Sequence, residues 1–255
     1  MTTDWSPNRF TSELDRAQPR PYYFYLDRAL RGGESLLEVG CGPGRLYDFL
    51  APRKKLDYTA ADLTPEMLAL LRRRHPKVRT LEVDVQEMTG IPDRAYDWVV
   101  CSDVLIHIPK PYQALEHLWR VTRGALLFVV RGTDQPGDIV DISRGHQEDE
   151  SGQRFYYNVF NHAGMLDRLG GLAPAPAGID CMREVLPEMP QARRTIPVDR
   201  TRHSVWVTGY AVLKDPGAVR WLGSGDFHFS PDHILHRLRR KLRKIAGAPH
   251  RWDMV

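Results

Sequence analysis

Leu36-Leu37-Glu38-Val39-Gly40-Cys41-Gly42-Pro43-Gly44-Arg45, continuing into Leu46-Tyr47-Asp48-Phe49-Leu50, is the stretch that decides the fold. An apolar run ends in an acid, glycines alternate with other residues, and a helical pattern begins. That is a strand, a tight turn and a helix. Glycines at such a turn permit positive φ and leave no Cβ in the way, so a ligand can approach the backbone and the first N–H groups of the helix. The loop is built to hold a cofactor.

The dinucleotide pattern G-x-G-x-x-G places its last glycine where Arg45 stands. The spacing here is G-x-G-x-G, and Glu38 precedes it at the strand's end. Such an acid suits a ligand carrying an ammonium group better than a pyrophosphate. Glu38 to Gly44 resembles the first motif of the class I S-adenosylmethionine-dependent methyltransferases. The resemblance implies that Glu38, Gly40, Cys41, Gly42 and Gly44 contact S-adenosylmethionine, which would leave as S-adenosylhomocysteine.

Working outward, Leu56 to Asp62 reads as a second strand ending in an acid, and Thr64 and Pro65 supply an N-cap and N1 proline for a helix through Leu71. Val78 to Val83 is a third strand closing on Asp84, Tyr96 to Cys101 a fourth, Pro111 to Val121 a helix, and Ala125 to Val130 a fifth strand. This alternation predicts an α/β fold, a doubly wound, Rossmann-like and mostly parallel sheet. In such sheets ligands sit beyond the carboxyl ends of the strands, where the strand order reverses. Glu38, Asp62 and Asp84 all fall at those ends. Asp62 lies eighteen residues past Gly44, in reach of both ribose hydroxyls. Asp84-Val85 resembles the family's adenine site, and the resemblance also carries Leu63, Met67, Ser102, Asp103 and Val104 into the cofactor set.

The composition, 27% charged and 42% hydrophobic, is that of an ordinary globular chain. No apolar run reaches the ~18 residues of a membrane span, and Met1 to Trp5 show no signal-peptide pattern, so a cytoplasmic location is expected. Cys41, Cys101 and Cys181 have no metal-ligand spacing, and neither a disulfide framework nor a metal is expected.

Residues 134 to 203 are less regular and correspond to the family's substrate lid, with a short helix at Asn161 to Leu169 and Tyr156, Tyr157 and Phe160 facing substrate or packing beneath it. Cys181 to Val185 and Ser204 to Leu213 are expected to form a final antiparallel pair. Ahead of the sheet, residues 1 to 30 hold a cap in which Pro21 to Leu26 lead a helix, and its Tyr22 either lines the pocket or covers the sheet. The methyltransferase domain itself is expected over residues 31 to 215.

Methyl transfer from a sulfonium is an in-line displacement, so the protein mainly aligns the reactants and excludes water. A hydroxyl nucleophile benefits from a general base. Ser102-Asp103-Val104-Leu105-Ile106-His107-Ile108-Pro109 follows the fourth strand and resembles the matching region of small-molecule methyltransferases acting on quinones, glycans and natural products. His107 is the first base to name, since an imidazole with pKa about 6.5 accepts a proton at neutral pH. His146 is its foremost rival, with His162 and His203, and Tyr22 joins the catalytic candidates. Arg131, ending the fifth strand, is suited to a substrate carboxylate or phosphate. An Asn-Pro-Pro-Tyr motif, the mark of methylation at an exocyclic amine, does not occur. The expected reaction is O-methylation of a small molecule or glycan. N-methylation of an amine, protein or RNA, and a non-catalytic cofactor-binding scaffold, stay open as alternatives.

Residues 216 to 255 form a basic tail. Arg237, Arg239, Arg240, Lys241, Arg243 and Lys244 supply +6 of a net charge of +4, so the rest of the chain sums to 4 − 6 = −2. From Ser230 an amphipathic helix is expected, with Ile234, Leu235, Leu238, Leu242 and Ile245 on one face. It suits an anionic membrane surface, which would place the protein at the inner face of a membrane. Docking on its own domain or in a homodimer is an equal reading, and nucleic acid a lesser one.

Overall fold

The computed structural model describes residues 19–148, 152–185 and 193–221. The expected tail helix, from Ser230 onward, lies outside them. The chain begins with helix α1 (Pro21–Ala29), then strand β1 (Ser35–Val39), α2 (Arg45–Leu50), β2 (Asp57–Asp62), α3 (Pro65–Arg74) and β3 (Arg79–Glu82). β4 (Tyr96–Ser102), a 3₁₀ turn at Leu105–His107, α4 (Pro111–Val121) and β5 (Thr122–Thr133) follow. The remainder is β6 (His146–Glu148), β7 (Arg154–Tyr156), β8 (Phe160–Asn161), α5 (His162–Gly170), β9 (Gly178–Val185), β10 (Arg193–Thr195) and β11 (Val205–Leu213).

An eight-stranded sheet runs β3-β2-β1-β4-β5-β11-β9, with β8 beside the end of β5. β3, β2, β1, β4 and β5 are mutually parallel. β11 pairs antiparallel with both β5 and β9, so the expected final pair forms, with its first strand starting at Gly178. The chain moves outward from β1 to β3 and then crosses to β4 on the other side of β1. The strand order therefore reverses between β1 and β4, and a crevice opens at their carboxyl ends.

Alternation along the strands fills both faces. Leu37, Val39, Val99, Cys101, Leu126 and Phe128 meet Leu115, Leu118 and Trp119 of α4 and Met165 and Leu169 of α5. Leu36, Tyr58, Trp98, Val100 and Leu127 meet Leu26 and Ala29 of α1, Leu46 and Leu50 of α2, and Leu68 and Leu71 of α3. Central strands buried on both faces explain the near-continuous apolar runs.

Three expectations need correction. Thr64 occupies the N-cap position of α3 but its side chain makes no capping bond; the Asp62 carboxylate accepts its N–H instead, at 2.9 Å. β5 extends to twelve residues, because antiparallel β11 supplies hydrogen-bond partners up to Thr133. The stretch expected as one lid is divided: β9 belongs to the main sheet and α5 packs into its core, whereas β10, β6 and β7 make a separate three-stranded sheet.

Candidate active site

The glycine loop lies against β2. Gly40 and Cys41 donate their N–H groups to the Ala61 carbonyl at 2.8 and 3.0 Å. Gly40 has φ +75, and a Cβ there would stand 2.1 Å from Val104 Cγ2; Gly44 has φ +92, and a Cβ would stand 2.3 Å from Leu71 Cδ1. Both positions require glycine twice over, for backbone hand and for space. At Gly42 a Cβ would meet nothing within 4 Å, so the loop's tip borders open room. Cys41 is buried and its thiol is pushed well up by burial, so it packs as a small apolar residue beside the loop.

Glu38 is 5% exposed and accepts a hydrogen bond from the Tyr58 hydroxyl. Burial raises its carboxyl from the ordinary value to about 8, against the opposing effect of Tyr58. An arriving cation favours the ionised form of such a buried acid and lowers its pKa again. Asp62 accepts from Gly42 N–H through one oxygen and from Thr64 N–H through the other, each at 2.9 Å. Each oxygen keeps a lone pair for a diol.

Beside Asp62, Leu63 is 58% exposed, an apolar platform with no protein cover. Met67, a turn into α3, is buried instead. Asp84 accepts from the Gln86 N–H at 2.8 Å, and Val85 is buried next to it. The bare Leu63, the open tip at Gly42 and the buried Glu38 together fit S-adenosylmethionine: an apolar ring, a diol and a cationic end.

Across the crevice, Ser102 ends β4 and Asp103 follows with φ +61, a backbone region uncommon for residues other than glycine. Asp103 is held from two sides. Arg20 Nη1, just ahead of α1, bonds Oδ2; Arg131 Nη1, from β5, bonds Oδ1 at 2.6 Å. The two guanidiniums outweigh burial and hold the Asp103 carboxyl well below the usual carboxylate range. Arg131 Nε also donates to the Tyr157 hydroxyl at 3.0 Å. Arg131 thus meets an internal carboxylate in this structure. Tyr22, adjoining Ser102, is buried and burial pushes its phenol well up, so it serves as a hydrogen-bond donor and not as a base. Its helix covers the sheet through Tyr25, Leu26 and Ala29.

His107 closes the 3₁₀ turn. Its Nδ1 bonds the Tyr156 carbonyl at 2.8 Å. A carbonyl only accepts, so Nδ1 carries the proton and the lone pair of the neutral ring is on Nε2. Asn158, fully buried, fastens the same turn: its Nδ2 donates to the Leu105 and Ile108 carbonyls at 2.9 and 2.8 Å, and its N–H to Ile106.

His146 stands on β6 directly across from Tyr156, 3.4 Å from Glu148, with its Nδ1 buried and unpaired. Tyr156, the register partner of His146 on β7, is thus also the residue whose carbonyl meets His107 of the 3₁₀ turn. His162 is bound at Nδ1 to the Tyr210 hydroxyl at 2.7 Å, and His203 lies 3.7 Å from Asp134, so neither joins this group. Tyr157 and Phe160 pack in the core; Tyr156 is half-buried. Sequence reasoning missed Arg20, Tyr58 and Asn158. Tyr58 had a signal, since it lies two residues before Ala60, the register partner of Glu38, and so shares its face. Arg20 and Asn158 had none.

A cleft between α4 and α5, lined by Tyr112, Glu116 and Arg168 among others, shares no residue with this group. Among the described residues no cluster of three or more His, Cys, Asp or Glu is placed to hold a metal ion, and no helix is long and apolar enough to cross a membrane.

Residues 37–129 match the family model of a methyltransferase domain. Trans-aconitate 2-methyltransferase of Enterobacter sp. (strain 638) is 28% identical over 174 residues, covering 63% of this chain and 68% of that protein. Ubiquinone biosynthesis O-methyltransferase of Xylella fastidiosa (strain M23) is 29% identical over 133 residues, 49% of this chain; the chain spans about half of that relative, 52% of its length. Among solved structures, 1,6-didemethyltoxoflavin-N1-methyltransferase of Burkholderia thailandensis aligns with TM-score 0.51 at 19% identity, covering 82% of this chain and 86% of the other. A Listeria monocytogenes protein described as an S-adenosylmethionine-dependent methyltransferase aligns with TM-score 0.52 at 16% identity, covering 76% and 98%. Both share the fold.

Proposed function

As the chain belongs to the class I S-adenosylmethionine-dependent methyltransferases, we propose that it methylates an oxygen of a small molecule, with His107 as the general base. S-adenosylmethionine supplies a methyl group on positively charged sulfur. Glu38 and the loop at Gly40 to Gly44 hold its amino-acid end, Asp62 its ribose, and Leu63, Asp84 and Val85 its adenine. The acceptor hydroxyl would give its proton to His107 Nε2 as its oxygen takes the methyl group, the carbon–sulfur bond breaking and S-adenosylhomocysteine leaving with that electron pair. The end of β7 meets His107 through the Tyr156 carbonyl, and the helix of residues 21 to 29 packs on the other face of the sheet.

The observation that carries the choice of base is the bond from His107 Nδ1 to the Tyr156 carbonyl, which fixes the tautomer with its basic nitrogen on Nε2. The similarity to O-methyltransferases of ubiquinone biosynthesis supports oxygen as the atom methylated. The test is His107→Ala: kcat falls by about 10²- to 10⁴-fold while S-adenosylmethionine affinity is kept. A variant that turns over normally takes the role away from His107.

A further inference from the structure

We propose that Arg20 and Arg131 form a binding site for a carboxylate carried by the methyl acceptor, a reading that rests on the methyltransferase assignment above. Both arginines converge on Asp103, whose neighbour Val104 lies against Gly40 of the cofactor loop. The pair therefore stands where acceptor and methyl donor meet.

Two cations share one acid here. Arg131 is 8% exposed, and its foremost electrostatic partners among the described residues are Asp103, the Tyr157 hydroxyl and the opposing Arg20. Arg20 has Asp103 and, more weakly, Glu184 on β9. A buried guanidinium is costly unless it is fully paired. The geometry is also half-used. Each guanidinium meets Asp103 through a single Nη1, although arginine and carboxylate favour a two-point fork. Among the described residues neither Nη2 makes a hydrogen bond to protein.

The guanidiniums are held in place from the side. The Tyr22 ring lies 5.5 Å from Arg20 and the Tyr157 ring 5.9 Å from Arg131, and the Tyr157 hydroxyl fixes Arg131 Nε. Fixed orientation lowers the entropy lost when a ligand is gripped. The Asp103 carboxylate shows which shape the arginines accept: a planar, two-oxygen anion, one oxygen toward each. Its unusual φ of +61 marks a residue placed there against backbone preference.

Calorimetry on the full chain loaded with S-adenosylhomocysteine tests this, with benzoate, 4-hydroxybenzoate and succinate as probes against benzamide, 4-hydroxybenzamide and phenyl phosphate. At least one carboxylate binds, and its amide binds about tenfold or more weakly. Arg131→Gln and Arg20→Gln each weaken that carboxylate by about tenfold or more, with S-adenosylhomocysteine affinity held within about twofold. Should Arg131→Gln fail to fold, Arg20→Gln, whose native side chain is 27% exposed, carries the test, and S-adenosylhomocysteine binding reports its integrity. Amides binding as well as acids, tighter binding of phenyl phosphate, no carboxylate binding to the loaded protein, or variants that keep carboxylate affinity each overturn the proposal. No S-adenosylhomocysteine binding by the unaltered chain refutes the methyltransferase reading and this proposal together.

Discussion

The proposed donor and acceptor sides of the crevice are built in opposite ways. On the donor side, Glu38, the glycine loop, Asp62 and Asp84 each end a strand or begin the turn after it, and their spacing follows from the order of β1, β2 and β3. On the acceptor side, Arg20, Asp103, Arg131 and Tyr157 come from four separate segments, and the Arg20–Asp103 pair joins residues 83 apart. The donor side is fixed by local backbone geometry, the acceptor side by side-chain pairing across the fold. A side set by backbone can serve one unchanging ligand. One set by pairing can be altered residue by residue without disturbing the sheet.

This contrast can be broken most directly at Gly40. Gly40→Val puts a branched side chain where Val104 already stands and demands a left-handed backbone; S-adenosylmethionine affinity is expected to fall by more than about 100-fold, about 2.7 kcal/mol. Retained affinity in calorimetry would mean that backbone geometry is not what limits the donor side.

A smaller effect is expected at Asp62. Asp62→Ala removes acceptors for the ribose and for the Gly42 and Thr64 N–H groups, weakening the same affinity by about 1 to 3 kcal/mol. Carboxylate-probe binding by the loaded protein should stay unchanged, and a parallel loss there would join the two sides into one.

The mildest effect is a pH dependence. Glu38, raised to about 8 by burial, is neutral in the free protein at neutral pH. A bound sulfonium or ammonium favours the carboxylate, so binding releases a proton and affinity falls as the pH drops below about 8, by up to about tenfold per unit. The same shift acts on the free fold with the sign of a raised pKa. Its contribution is fully present below the unfolded value and is lost as the pH rises toward about 8, because only the unfolded chain ionises in that window. Glu38→Gln should flatten both profiles, as seen in affinity and in the thermal midpoint across that range.

What could be read from the chain follows the same division. The strand order, α4 and the antiparallel pair all carry their own signals: Pro111 at N1, apolar runs of sheet length, alternation at Val205 and Val207. Glu38, Asp62 and Asp84 likewise show in the sequence as acids near strand ends. Arg131 was visible as a strand-end cation, but Asp103 as its partner was not, because that pairing depends on β4 and β5 lying side by side. Arg20 is one cation before a proline, and nothing in its neighbours points to a residue beyond β4. The split of residues 134 to 203 was hidden for a related reason: β6 has three residues, too few to show a period.

His107 is suspended from its neighbours, with Tyr156 taking its Nδ1 and Asn158 fastening the turn that bears it. Both partners lie at the end of β7 and just beyond it. Under the base role proposed for His107, any rebuilding of this segment to admit a different acceptor also resets the aim of the imidazole, so shape selection and proton removal change as a single heritable trait. Laboratory variants selected for new acceptors should therefore gather at the margins of residues 146 to 158, leaving Tyr156 and Asn158 themselves untouched.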